Sequence, residues 1–365
     1  MSALAPNACG VATWNPPASR LDGVPGVGID SRIATLLSAI GVPQLRRFFG
    51  HRALLDAIQD PTVGAICCHY TNLATSLRKV WSRTDKPLLV HAHGYDVTWD
   101  FRLPRRPHLR VFSDRYVEKV RQLSQRAILL ANSEFTADRI LAAGVPPDRV
   151  IVKYLGVPVP LQCPERPQRE EVQILFLGRL VNFKGPEQTL RAFDLACRNG
   201  LRGKLVMAGD GPLRDSCERI RRESPFADRI ELLGSIDAAT GDRLRRESSI
   251  FTAHNQKCGI TNQEEAYGVS VVEAMASGLP VVTGGNGGVR ETVLDQETGL
   301  LFPTGDVAAH ANGLLQLSTD SDRRNRLGKS GFQRAKRLFS LQAEQASWSA
   351  ILKRIGVGPD LFNLI

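Results

Sequence analysis

Between Gln173 and Leu317 the sequence alternates short apolar runs with amphipathic stretches six times over, and few chain architectures tolerate that pattern. Apolar strands are expected at Gln173–Leu177, Lys204–Ala208, Arg229–Leu233, Ile250–Ala253, Pro280–Thr283 and Gly299–Phe302. Helices are expected at Pro186–Arg198, Pro212–Arg222, Ala239–Glu247, Val269–Ser277, Gly288–Leu294 and Val307–Leu317. Strands that alternate with helices pair in parallel, because each crossover carries a helix back across the sheet. The expected class is therefore α/β with a doubly wound sheet, whose ligand sits at the carboxyl ends of the strands.

The front half repeats the alternation less clearly, with strands expected at Gly64–Cys68, Pro87–His91, Ala127–Ala131 and Val150–Tyr154. From Arg149 to Glu171 the chain turns proline-rich and loses periodicity, as an interdomain linker does. A length of 365 residues suits two domains, read as 1–160 and 161–341, with a last helix from about Gln342 to Arg354 returning to the first domain. Gly26-Val27-Gly28 lacks the third glycine of a dinucleotide loop and follows no convincing strand, so it reads as a turn before a helix over Ser31–Ile40.

Composition narrows the class further. With 42% apolar and 23% charged residues the chain is neither fibrous nor disordered. No apolar run approaches the roughly 18–20 residues of a membrane span, and Met1–Asn15 lacks the layout of a signal peptide, so a cytoplasmic protein is expected. Seven scattered cysteines without a C-x-x-C read as reduced thiols. The net charge of +10 is concentrated in front: residues 1–160 hold 20 Lys/Arg against 12 Asp/Glu. Within Trp99–Arg126, eight basic residues are interleaved with apolar and aromatic ones, which suggests either a solvated helix face or affinity for an anionic surface such as phospholipid. Nucleic acid is not expected as a partner, since no recognition motif accompanies the charge.

Two positions in the back half carry anion signals. Arg179 and Lys184 follow the first strand and stand at the mouth of the next helix, where unpaired N–H groups and a partial positive charge suit phosphate. In the run Ala266–Val289, Glu273 is the only charged residue, and a helix that apolar is expected to be buried. A carboxylate buried there needs a polar partner, either a structural cation or a ligand diol. Glu265, just outside the same helix, reads as a helix-dipole partner or as a group facing a polyol, with the N–H groups of Ala266, Tyr267 and Gly268 facing an anion.

Three further motifs carry less. Gly328-Lys329-Ser330 lacks the rest of a phosphate loop, and Asp320-Ser321-Asp322 precedes a helix, which suits capping better than metal binding. His91-x-His93 has a spacing compatible with a metal, but no third ligand is evident and none is expected.

The ordered set G-R-L-x-x-x-K-G, V-M-A-G-D-G-P-L, E-A-Y-G-V-S-V-V-E-A-M-A-S-G-L-P-V-V, G-G-V-R-E-T-V and T-G-L-L-F-P, over Gln173–Asp306, resembles glycosyltransferase family 4. In front, Leu88-Leu89-Val90-His91-Ala92-His93-Gly94-Tyr95-Asp96-Val97 is similar to the same family, while its usual Gly-Gly loop is not recognisable. The resemblance implies a GT-B fold, two Rossmann-like domains across a cleft, the back one binding a nucleoside-diphosphate sugar. It implies that Arg179 and Lys184 neutralise the diphosphate, that Glu273 holds the ribose, and that Glu265 contacts the transferred sugar. Gly268 and its neighbours would give backbone donors, and Gly234 to Ile236 would lie by the base. His93, then Asp96, would stand by the acceptor.

The expected activity is retaining, metal-independent sugar transfer without a cofactor, to a lipid-linked or polysaccharide acceptor at the inner membrane face. A soluble acceptor, or a catalytically inactive scaffold subunit that binds nucleotide sugar, are the alternatives.

Overall fold

The computed structural model describes residues 63–98, 115–166 and 171–357, with short stretches at 11–13, 26–28, 54–56, 58–59 and 61. Strands β1 (Val11–Thr13) and β2 (Gly26–Gly28) pair in parallel. Gly26-Val27-Gly28 is thus a strand and not the expected turn; its partner lies 15 residues upstream in register, Val11 opposite Gly26, beyond any local signal. The helix expected over Ser31–Ile40 lies outside the described residues, as does the Trp99–Phe112 part of the basic segment.

The first sheet follows chain order: β3 (Ile66–His69), β4 (Leu88–Ala92), β5 (Ala127–Ala131) and β6 (Val150–Val152), all parallel. Every residue of β4 is buried, as strands covered on both faces must be.

The second sheet holds β7 (Val172–Leu177), β8 (Gly203–Ala208), β9 (Ile230–Gly234), β10 (Ile250–Ala253), β11 (Val281–Gly284) and β12 (Gly299–Phe302). Its order is β12-β11-β10-β7-β8-β9, parallel throughout. The chain runs outward from β7 to β9, then returns to place β10 beside β7. Loops leaving β7 and β10 therefore diverge and open a crevice at the carboxyl end of the sheet, where ligands of doubly wound folds bind.

Element boundaries deviate from expectation by one or two residues for a physical reason in at least one place. The helix expected from Pro212 starts at Arg214, because Leu213 N–H is spent on Leu180 O at 3.0 Å. A Cβ on Gly211 would strike that same carbonyl, so the glycine lets the loop lie flat on Leu180.

The last helix, Leu341–Arg354, crosses back to the first sheet, and Trp348, Ile351 and Leu352 pack on Leu89 and Leu130. A bridge between Val157 and Ser340 starts the crossing, and a buried ion pair between Lys153 and Glu344 fixes it. Gly156 N–H adds a 3.0 Å bond to the same carboxylate. Each large apolar side chain so buried is worth about 1.5–3 kcal/mol, which holds the helix on the first domain.

Candidate active site

At the carboxyl end of β7 the chain passes through Gly178 and Arg179 into a short turn, Asn182–Lys184, and then into the helix Pro186–Arg198. Gly185 makes that entry with φ +59, and a side chain there would strike the backbone of His254 after β10. The close approach of the β7 and β10 loops thus depends on a glycine. Proline at the first helical position costs no hydrogen bond.

Lys184 reaches across the crevice to Glu265, and the two side chains are 13% and 12% exposed. Glu265 also accepts the Gly268 N–H at 3.1 Å, at the start of the helix Val269–Ala276. Gly268 takes φ +86 to make the turn. A pair this enclosed keeps both charges compensated; either one left alone would be costly. Arg179 is exposed, with its guanidinium 5.8 Å from the Phe183 ring and no carboxylate partner among the described residues.

Glu273 has the structural cation as its partner: Arg245 Nη1 lies 3.0 Å from one carboxylate oxygen, and Arg245 is shared with Asp242. Burial raises the Glu273 pKa while Arg245 opposes the shift, and the side chain keeps 31% exposure. The second oxygen has no hydrogen-bond partner among the described residues, so the ion pair leaves room for one ligand hydroxyl.

The backbone contacts expected near Gly234 and at Tyr267 have the following surroundings. The Gly234 carbonyl receives the Gly209 N–H at 2.7 Å, and Ile236 is partly buried, so Gly234 uses its carbonyl to hold a loop. Tyr267 is 1% exposed, and its hydroxyl donates to Leu155 O at 2.7 Å; its side chain turns to the interdomain chain and only its backbone is left for a ligand.

On the front side, Asp96 is 0% exposed, and its carboxylate accepts Thr71 N–H (2.7 Å), Thr71 Oγ1 (3.0 Å), His93 N–H (3.0 Å) and Gly94 N–H (3.0 Å). This corrects the expectation that it faces an acceptor: with its oxygens so occupied it positions His93. Burial raises its pKa, and the hydrogen bonds oppose that.

His93 is partly exposed and stands against Tyr70, ring centroids 4.6 Å apart. Tyr70 itself has φ +73, a conformation costing a side-chain residue about 1–3 kcal/mol, as strained backbone at functional sites does. Burial lowers His93 to about 3 and His69 to about 4, leaving both rings neutral near pH 7.

His69 is a neighbour that sequence reasoning missed. β3 and β4 pair with His69 opposite His91, and His69 Nδ1 lies 2.7 Å from His93 Nε2. The third histidine ends the preceding strand and His91 is the penultimate residue of β4, so a histidine near the end of each strand was the available signal.

Glu291 was missed as well. One of its oxygens accepts Glu134 N–H at 2.7 Å and the other Phe135 N–H at 2.7 Å, at the start of the front-domain helix Glu134–Ala142. Beside it Glu264 takes Arg139 at 2.6 Å and Asn286 at 3.0 Å. The loop before the helix Val269–Ala276 meets the front domain directly, since a Cβ on Gly94 would lie 2.5 Å from that of Ala266. The lesser motifs resolve simply: Asp320 caps Ser321–Leu338 through Arg323 N–H at 2.8 Å, and Gly328-Lys329-Ser330 lies inside that helix.

Comparison with known proteins agrees with this geometry. Residues 164–334 match the family described as Glycosyl transferases group 1, and residues 18–159 match Glycosyltransferase Family 4. A GDP-mannose-dependent alpha-(1-6)-phosphatidylinositol monomannoside mannosyltransferase of Mycobacterium tuberculosis is 26% identical over 67% of this chain. The match spans 63% of that protein's length. The amylovoran biosynthesis glycosyltransferase AmsK of Erwinia amylovora is 26% identical over 67% of this chain and 58% of its own. Among solved structures, HepE of Anabaena in complex with UDP superposes with TM-score 0.69 at 16% identity, covering 88% of this chain and 89% of that one. Sucrose-phosphate synthase of Thermosynechococcus elongatus gives 0.67 at 19% identity, covering 93% and 82%. These likenesses establish the fold, two parallel-sheet domains of GT-B type.

Proposed function

Because the chain belongs to glycosyltransferase family 4, we propose that it moves a sugar from a nucleoside-diphosphate sugar to an acceptor hydroxyl, with retention of configuration. The observation that carries the reading is the enclosed Lys184–Glu265 pair beside the Gly268 N–H, at the switch point of the second sheet. A diphosphate entering the crevice would compete for Lys184 and take it from Glu265. The freed carboxylate then meets hydroxyls of the transferred sugar, so binding exchanges one set of compensated charges for another. Arg179, already exposed, adds a second cation, and the free oxygen of Glu273 takes a ribose hydroxyl. The leaving diphosphate gains negative charge as the glycosidic bond breaks, and fixed cations with aligned N–H groups stabilise it without a metal at that position. No dissociable cofactor enters this scheme.

His93, held by Asp96 and standing next to the Gly94–Ala266 contact, lies on the acceptor side. The acceptor we propose is a polysaccharide or lipid-linked intermediate at the inner face of the cytoplasmic membrane. Relatives named for phosphatidylinositol and amylovoran products support it, as does the positive front half. Among the described residues no helix is long and apolar enough to cross a membrane, so attachment would be peripheral. Flotation with liposomes that is indifferent to anionic lipid would remove the membrane part and favour a soluble acceptor.

The primary test is a thermal-shift series with UDP, GDP, ADP and TDP, with and without EDTA. A donor nucleotide near 100 Kd adds about 2.7 kcal/mol. One responder whose shift survives EDTA is the expected result. No response to any nucleotide removes the donor site, and binding without nucleotide release in acceptor assays would leave a scaffold subunit.

A further inference from the structure

We propose that His69, His91 and His93 form a binding site for a divalent transition-metal ion of the zinc class, with a fourth position open to water or a substrate oxygen. One ring nitrogen from each histidine can be chosen so that all three lie within 4.8 Å of one another. The ring centroids are 4.5 Å apart for His91 and His93, 4.9 Å for His69 and His93, and 5.6 Å for His69 and His91.

The second observation is His91 itself. It is 1% exposed, and neither Nδ1 nor Nε2 has a hydrogen-bond partner among the described residues. A neutral imidazole carries one N–H and one lone pair, and leaving a buried polar group unpaired costs about 1–3 kcal/mol. A cation bound at the lone pair satisfies it. His69 and His93 are partly exposed and leave a path of entry.

Tetrahedral zinc with bonds of about 2.0–2.1 Å sets its nitrogen ligands roughly 3.3 Å apart. The 2.7 Å contact between His69 and His93 would open, and His91 would draw in, each by ring rotation on the order of an ångström. Imidazole donors suit zinc, copper, nickel and cobalt(II) ahead of magnesium or calcium, and three protein ligands with one open position is the layout of reactive rather than structural zinc. Lys153 and Glu344 pair with each other, and the Asp96 carboxylate lies behind His93, 3.0 Å from its backbone N–H.

The inference does not depend on the transferase reading, because it is read from metal binding alone. The whole chain, stripped with EDTA and desalted, is titrated with zinc chloride by calorimetry and with cobalt(II) by visible spectroscopy. One equivalent should bind, and cobalt should give the intense visible bands of a tetrahedral site. His69→Gln and His93→Ala, at the two partly exposed positions, should each weaken binding by more than about tenfold, the loss that even an outer-shell change can cause. Circular dichroism checks that both variants are folded. Absence of zinc binding overturns the proposal, as does one equivalent bound at unchanged affinity by the His69→Gln/His93→Ala double variant. Normal nucleotide binding by a protein that takes no zinc would sink this site and leave the transferase reading standing.

Discussion

Phe135 donates its backbone N–H across the domain boundary to Glu291, at 2.7 Å. With Glu134 N–H on the other oxygen, the carboxylate caps a helix that belongs to the opposite domain. The positive end of that helix and a negative charge from the second domain hold the two halves in register, and Arg139–Glu264 is a second pin beside it.

Glu291→Ala should therefore cost about 0.5–2 kcal/mol, the usual worth of a helix cap. It should also loosen the cleft. Urea unfolding measures the first effect and small-angle scattering the second, as a larger radius of gyration; an unchanged radius would mean that the cap holds only its own helix.

Lys184→Ala and Glu265→Gln should leave the fold intact and lower turnover by about 10²–10³-fold, the scale of losing one preorganised electrostatic group. Lys184→Ala should also weaken binding of the free nucleoside diphosphate, whereas Glu265→Gln should spare it, because the carboxylate meets sugar. Normal turnover in either purified variant would remove the site.

The buried pair Lys153–Glu344 ties the last helix to the first sheet, and burial pulls the lysine pKa down. Glu344→Ala strands an ammonium away from water and should destabilise the protein by about 3–5 kcal/mol. A paired Lys153→Met/Glu344→Leu variant should recover most of that loss. Equal stability of the single and double variants would show that packing, not charge, dominates here.

Acid sensitivity should arise partly from His254 and His310. Thr252 Oγ1 donates to Val282 O at 2.9 Å, so it accepts from His310 Nε2 at 2.6 Å. That leaves His310 Nδ1 to accept from His254 Nδ1 at 3.0 Å, and neither ring holds a second proton comfortably. Burial lowers His254 from 6.5 to about 4 and puts His310 well below its ordinary value. The unfolded chain thus binds more protons in that window: stability is complete above pH 6.5 and falls as pH drops toward 4. The His254 share is roughly 3 kcal/mol. His310→Gln should flatten the fall measured by urea titration across the window.

Much of the second sheet was legible because its strands are short, apolar and bounded by helices with clear amphipathic faces; Pro186–Arg198 and Ile250–Ala253 have the expected limits. That Arg179 and Lys184 stand at the crevice was legible because motif spacing places them just after the end of β7. What escaped depends on pairing between distant segments. Glu291 carried no signal in its own segment, because its partners lie more than 150 residues away in the other domain. His69 became a neighbour of His93 only through strand register, which the sequence does not state. Asp96 was expected to face a ligand, since nothing in its sequence neighbours reveals that four donors close over its carboxylate.

The in-register pairing of His69 with His91 has a consequence for motion. All three imidazoles hang from adjacent strands of one sheet and the turn that follows, with no contribution from the other domain. A movement of one domain against the other would carry the three imidazoles together. The Lys184–Glu265 pocket meets the Gly94 turn at Ala266, so any such movement would change the distance between the two centres and leave the spacing of the three rings alone.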